Sequence, residues 1–374
     1  MKNKVGGLFF TKEQMTGNQE PKAGKPGIKY KILFVNWKEH IADKWPILLV
    51  FPVLAFLVSF SIGKFPISIP DLLHTLFYHF VDPAKIANAN METVLFNIRL
   101  PRVLTVLIVG GGLSMAGASF QGMFKNPLVS PDILGASAGA AFGACVAMLL
   151  DMPSAFVQLF SFCSGILAVT IATNATKKFS RDPILGLVLG GIMIGSLFSA
   201  GTSALKILAD AVDKLPQITF WLMGSFNTIN TTKFLSILLP MAISFIILFS
   251  VRWHLNVLSF GEEEAKSLGV KTERIRRLTI IASTLITASS VSISGMVGWI
   301  GLVIPHMGRA LVGPNFKRLI PTCLILGSTF LLIVDDIARC TFTVELPIGI
   351  LMSFVGVPFF YFIYKYRAKG ESGA

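Results

Sequence analysis

The sequence predicts an all-α, polytopic membrane protein with about ten transmembrane helices, and three observations carry that prediction. Hydrophobic residues make up 53% of the 374 and charged residues only 14%, with a mean hydropathy of +0.69; an average soluble domain carries about 25% charged residues. The apolar residues are gathered into runs close to the roughly 20 that a helix needs to cross a bilayer. The 33 Lys and Arg, source of a formal net charge of +13, sit mainly between those runs, where they report orientation rather than affinity for nucleic acid. A single-span receptor and an enzyme with a large soluble domain are excluded by the same arithmetic.

Residues 1–44 are polar and begin Met-Lys-Asn-Lys, without the apolar core and small-residue cleavage site of a secretory signal, so the amino terminus is expected in the cytoplasm. Within this extension Tyr30, Phe34, Trp37, Ile41 and Trp45 recur at helical spacing among Lys29, Lys31, Lys38 and Lys44. That is the pattern of a helix lying on an anionic membrane surface, with a disordered basic tail as the alternative. Residues 45–374 form the transmembrane domain, with apolar runs near 46–63, 103–123, 133–150, 155–174, 184–205, 234–251, 278–294, 297–312, 319–338 and 347–364. Ten crossings with both ends inside place 25 Lys/Arg in cytoplasmic segments and 8 outside; a count of nine or eleven would reverse the asymmetry. The outer segment 206–233 contains Pro216 followed by Phe220-Trp221-Leu222-Met223, which predicts a short helix in the outer interface. The largest polar insertion, 252–277, falls inside.

Catalytic chemistry has little to stand on. The histidines His40, His74, His79, His254 and His306 form no H-E-x-x-H and no close Cys/His ligand spacing. His306, beside a proline break, reads as a packed and hydrogen-bonded residue. Cys145, Cys163, Cys323 and Cys340 lie in or at the edge of apolar runs and predict no disulfide. There is no G-x-x-x-x-G-K-[ST], and Gly110-Gly111-Gly112 lacks the strand, spacing and acidic partner of a dinucleotide site. No cofactor, no metal and no catalytic residue is therefore assigned, and the chain is not expected to bind ATP. Ionisable residues are almost absent from the spans; Asp335 and Asp336, late in the ninth run, are placed to pair with Arg339. Energy for active transport must come from another polypeptide. Small residues recur every four positions at Gly135, Gly139 and Gly143, at Gly186 and Gly190, and at Gly191 and Gly195. The first set reads as helix packing; Gly190, Gly191 and Gly195 are divided between packing and lining a central pathway.

Six ordered segments carry a resemblance. They are Arg99-Leu-Pro-Arg102, Lys125-Asn126-Pro127-Leu128-x-x-Pro131-x-x-Leu134-Gly135, Gly261-Glu262-x-x-Ala265-x-x-Leu268-Gly269, Gly301-Leu-Val-Ile-Pro305-His306, Asp336-Ile-Ala-Arg339 and Glu345-Leu-Pro347-Ile-Gly349. In this set and order the chain resembles the FecCD-type permeases, membrane subunits of type II ABC importers for iron chelates and vitamin B12. The resemblance implies two permeases around a central pathway, two copies of an ATP-binding subunit on the cytoplasmic side and one substrate-binding protein outside, in the cell membrane. It implies that Gly261, Glu262, Ala265, Leu268 and Gly269 couple to the ATPase, that Arg99, Arg102 and Arg339 receive carboxylates of the binding protein, and that Asn126 and Pro127 belong to an inner gate. At the other inner loop, Asp182-Pro183-Ile184-Leu185 replaces the small hydroxyl residues of cobalamin members. The cargo expected is a ferric siderophore first, haem second and cobalamin third. The rival class is a secondary carrier or channel working without an ATPase, which co-purification with an ATPase would exclude.

Overall fold

The computed structural model describes residues 48–63, 67–82, 89–177, 183–341 and 343–371; the amino-terminal extension, Lys64 and Asp182 lie outside them. The described residues are helical, with no strand among them. Each of the ten apolar runs becomes a helix. In chain order these are α1 (Val50–Ser61), α4 (Leu100–Met123), α5 (Ala136–Leu149), α6 (Ser154–Lys177), α7 (Pro183–Leu208), α9 (Thr231–Phe260), α11 (Thr272–Ser294), α12 (Ile300–Val312), α13 (Phe316–Cys340) and α14 (Ile348–Glu371). Six helical stretches are long and apolar enough to cross a membrane, and Val50–Ser61, Ala136–Leu149, Ile300–Val312 and Ile348–Phe359 are shorter apolar helices.

Between the spans lie shorter elements, two of them not expected from the sequence. Between α1 and α4, α2 (Ile69–Val81) begins at Ser68, whose side chain accepts the Asp71 N–H, with Pro70 in the first turn. Ser68-Ile-Pro-Asp71 is a capping signature that was there to be read. A short α3 (Ala89–Thr93) then runs through a π-helical turn, Val94–Arg99, into α4. The Leu100 N–H reaches back five residues to the Leu95 carbonyl. This widened turn sits immediately before Pro101, which has no N–H to continue the ladder and whose ring crowds the carbonyl four residues back. The expected short helix is present as α8 (Lys214–Met223), and α10 (Glu262–Ser267) lies within the polar insertion.

α4 is the hub, packed against α9, α11, α12 and α13, and most of its residues are buried. Lipid is as apolar as a leucine core, so close backbone approach must supply the attraction between spans. The glycine triplet permits that approach, since a Cβ on Gly110 would lie 2.4 Å from the Gly327 carbonyl and one on Gly111 2.5 Å from Leu324. Lower on the same helix, a Cβ on Gly117 would come within 1.8 Å of the Gly301 carbonyl, which explains the glycine that opens the Gly301–His306 segment. Gly139 and Gly143 do the same between α5 and α6, against Ser164 and Phe160 carbonyls. His306 Nδ1 lies 2.9 Å from the Leu302 carbonyl, as a packed residue beside Pro305 should. All four cysteines are free.

Candidate functional site

Two polar regions stand at opposite ends of this bundle. At one end the chain leaves α9 at Gly261, makes the single helical stretch α10 and enters α11. A Cβ on Gly261 would fall on the Glu264 carboxylate. The unit is closed by backbone alone: Gly269 N–H donates to the Lys266 carbonyl at 2.9 Å and Val270 N–H to the Ala265 carbonyl at 3.0 Å. This is a Schellman closure, with Gly269 left-handed at φ +77° and the buried Ala265 and Val270 in the positions of its hydrophobic contact. Nothing lies within 4 Å of a Cβ placed on Gly269, so only backbone conformation demands glycine there. Glu262 ties the unit to α11: its carboxylate accepts from Arg276 Nη2 at 3.0 Å and from Thr272 Oγ1 at 3.3 Å, with Lys266 Nζ at 3.6 Å. Burial pushes the Glu262 carboxyl up, but the Arg276 guanidinium, helped by Lys266 and Thr272, outweighs it and holds the group below the ordinary glutamate range. The five motif residues thus divide. Gly261, Glu262, Ala265 and Gly269 build the unit, while Leu268 is 66% exposed; Phe260, at the end of α9, is 78% exposed. The sequence reading missed Thr272 and Arg276, whose only signal was a cation within helical reach of the insertion.

Asn126 and Pro127 lie in a second loop. The Asn126 N–H donates to the Gln121 carbonyl at 3.2 Å, and its side chain accepts the Leu128 N–H at 2.9 Å. Asn126 is exposed and Pro127 half-buried. The loop leads through a tight turn, Pro131–Leu134, to Gly135 at φ +81°. That turn lies against α7: a Cβ on Gly191 would meet the Ile133 carbonyl at 2.0 Å, and one on Gly195 would be 3.5 Å from the Gly135 Cα. Gly191 and Gly195 are therefore engaged in close packing, and Gly190 beside them is buried. The exposed face of α7 is apolar, with Leu189, Ile192, Met193 and Leu197.

At the opposite end the structure brings three of the six segments together. Arg99, Arg102 and Arg339 converge, but they point inward and are 4%, 7% and 6% exposed. Arg102 lies between two carboxylates. Its Nε and Nη2 donate to Asp335 at 3.0 and 2.8 Å, and its Nη1 and Nη2 donate to Glu345 at 3.1 and 3.0 Å. Arg339 donates to Asp336 Oδ1 from Nε at 3.1 Å and Nη2 at 2.6 Å, and also to the hydroxyl and carbonyl of Ser59 on α1. The Ser59 hydroxyl in turn donates to Asp336 at 2.8 Å. Arg99 donates to the Phe60 carbonyl. The pairing of Arg339 with Asp336 was legible from helical spacing, but Asp335, expected beside it, pairs with Arg102 instead; Glu345 as a partner of Arg102, 243 positions away, was not legible. A buried charge survives only when paired and hydrogen-bonded, and three arginines with Asp335, Asp336 and Glu345 make a charge-balanced cluster.

Comparison with known proteins agrees with this architecture. The sequence matches the FecCD transport family over residues 48–365. It is 40% identical over 325 residues to the molybdate import system permease protein MolB of Haemophilus influenzae, covering 85% of this chain and 94% of that one. It is 35% identical over 292 residues to a probable iron chelatin transport system permease protein of Helicobacter pylori, covering 78% and 87%. A solved inward-facing structure of a metal-chelate type ABC transporter superposes with a TM-score of 0.77 at 38% identity, covering 85% of this chain and 97% of that one. The family match spans most of the sequence, and the chain belongs to the FecCD transport family.

Proposed function

We propose that this chain is the membrane-spanning subunit of an ATP-driven importer of the cell membrane, two copies forming the pathway over two copies of an ATP-binding subunit, with a substrate-binding protein delivering cargo outside. The observation that carries the reading is the Gly261–Gly269 unit: a small, prefolded body that exposes Leu268, preceded in the chain by the exposed Phe260. Exposed apolar side chains on a rigid polar unit suit contact with a protein surface. The charge count of 25 against 8 puts this unit in the cytoplasm together with both termini. Closure of the ATPases would move both units and shift the helices between outward-open and inward-open packings, a population shift in which Asn126, Pro127 and the α7 glycines act as the inner gate.

The arginine cluster is the proposed docking point for the binding protein. Because its charges are already balanced, an incoming carboxylate would have to displace Glu345 or Asp336, the partners with some exposure, from Arg102 or Arg339. The planar guanidinium fork can exchange one carboxylate for another without losing register. The test is affinity between the purified complex and its binding protein: reversing Arg99, Arg102 and Arg339 together is expected to abolish binding, and unchanged affinity would leave these residues a purely internal brace. Orientation is tested by placing a single cysteine at Lys266 on a cysteine-less background, where labelling from outside intact cells would invert the assignment.

For cargo, the motif reading favours an iron chelate, with ferric siderophore ahead of haem and cobalamin. A second reading, molybdate, is favoured by the 40% identity to the molybdate permease. The ligand retained by the partner binding protein, tested against ferric siderophores, haem, cobalamin and molybdate, decides between them.

A further inference from the structure

Five residues before Gly261, α9 carries Asn256, half-buried at the edge of the bundle. Its amide makes two bonds to the start of α13. Nδ2 donates to Asn315 Oδ1 at 2.9 Å, and Oδ1 accepts the Phe316 N–H at 2.8 Å. Asn315 is the N-cap of α13, and its Oδ1 also accepts the Lys317 N–H at 3.0 Å. A helix start leaves its first N–H groups without partners, and here one of them is satisfied by a side chain from another helix.

Beyond Asn315, α13 is joined to α4 along its whole length. The buried Phe316 ring lies where a Cβ on Gly122 would meet it at 2.5 Å. In the middle, a Cβ on Gly327 would fall 2.4 Å from the Gly110 carbonyl, and Ser328 donates to the Leu107 carbonyl at 2.6 Å. At the far end Asp335 holds Arg102. α4 and α13 therefore behave as one rod, about 37 Å long at 1.5 Å per residue, with the arginine cluster at one end and Asn126 and Pro127 just beyond the other.

We propose that the Asn256–Asn315 clasp is the joint through which the Gly261–Gly269 unit and the α4–α13 rod move together, so that events at the arginine cluster reach the ATPase and its stroke returns. Asn256 and Asn315 are positioning residues for transport and touch no cargo. This inference rests on the importer reading given above. A bidentate amide suits such a joint because it fixes direction as well as distance, and because both of its partners lie at helix ends, where displacement costs few internal hydrogen bonds.

The experiment uses the purified complex of this chain with its ATPase in lipid vesicles, and reads the factor by which the binding protein, added on the outer side, raises ATP hydrolysis over the basal rate. Asn256→Ala removes both bonds and is expected to lower that factor about tenfold while basal hydrolysis and binding-protein affinity persist. Asn256→Asp keeps the acceptor for Phe316 N–H but sets a carboxylate against Asn315 Oδ1, and is expected to be similarly defective. Asn315→Asp keeps every acceptor, caps the helix as well, and is expected to behave as wild type. If basal and stimulated rates fall together, or if both Asn256 variants are stimulated normally, the clasp is only a cap and the proposal is overturned. If the wild-type chain assembles with no ATP-hydrolysing subunit, the importer reading falls first and the joint with it; a wild-type complex indifferent to the binding protein overturns the joint alone.

Discussion

The two poles of the bundle are built from the same charged and small residues and are held in opposite ways. The unit at Gly261–Gly269 is local: its bonds span a few residues, its closure is backbone, and its glutamate reaches only to the next helix. The arginine cluster draws mainly on residues remote in sequence, its longest-range bonds joining positions 233 to 280 apart, and is held by buried charge. Local backbone motifs tolerate exposure, because their carbonyls and amides are satisfied internally. Buried ion pairs tolerate almost no loss, because the surviving partner is stranded without water.

The largest effect is accordingly expected at the cluster. Asp335→Ala strands Arg102 beside Glu345 alone, and should destabilise the purified protein by about 3–5 kcal/mol, read as a lowered unfolding midpoint in detergent. Replacing Gly269 by Val forces a β-branched residue into φ +77° and should cost roughly 2 kcal/mol, whereas Gly269→Asn should recover most of it, since asparagine tolerates that region. A clash would not be rescued by asparagine, so this pair of variants separates conformation from crowding. Both bulky replacement of Gly269 and Glu262→Lys are expected to uncouple ATP hydrolysis from uptake while the permease still inserts, measured as cargo moved per ATP.

Glu262→Lys brings a cation to Arg276 and Lys266 at a partly exposed site, where screening limits the cost to about 1 kcal/mol. The smallest effect is one of pH. The folded Glu262 carboxyl titrates below the ordinary glutamate range, so its stabilising contribution is complete above that range and is lost as pH falls through the depressed value. Assembly with the ATPase should therefore weaken on acidification, and the step should shrink in Glu262→Gln and in Arg276→Ala; an undiminished acid step in both would assign it to another group.

The same contrast explains what could be read from the sequence. The ten apolar helices were legible because apolar length is a local property, and Gly269 was legible because a helix that must stop needs a left-handed residue. The short helix around Trp221 followed from a proline and an aromatic cluster. The π turn at Val94–Arg99 was not read, although Pro101 marks its place, because a proline near a helix start normally costs nothing. The partners of Arg102 were hidden for a different reason: ion pairs across 233 and 243 positions depend on which helices meet. The role of Gly110 and Gly111 as the seam of α4 against α13, and of Gly112 against α9 and α11, required knowing the neighbours.

The π turn also sets a rule of register. One residue more than an α-helix needs is accommodated between Thr93 and Leu100. Deleting any one residue there would restore the regular ladder, yet it would rotate everything upstream by about 100° about the helix axis. Glu92 would swing away from His79, 2.6 Å distant, and Phe96 from the imidazole stacked on it at 3.7 Å. α2 would lose its seat against α3, while Arg102 on α4 kept its place. The length of this segment is thus a constraint in its own right, and natural variants should exchange its side chains other than Leu95, Phe96 and Arg99 more readily than they change its number of residues.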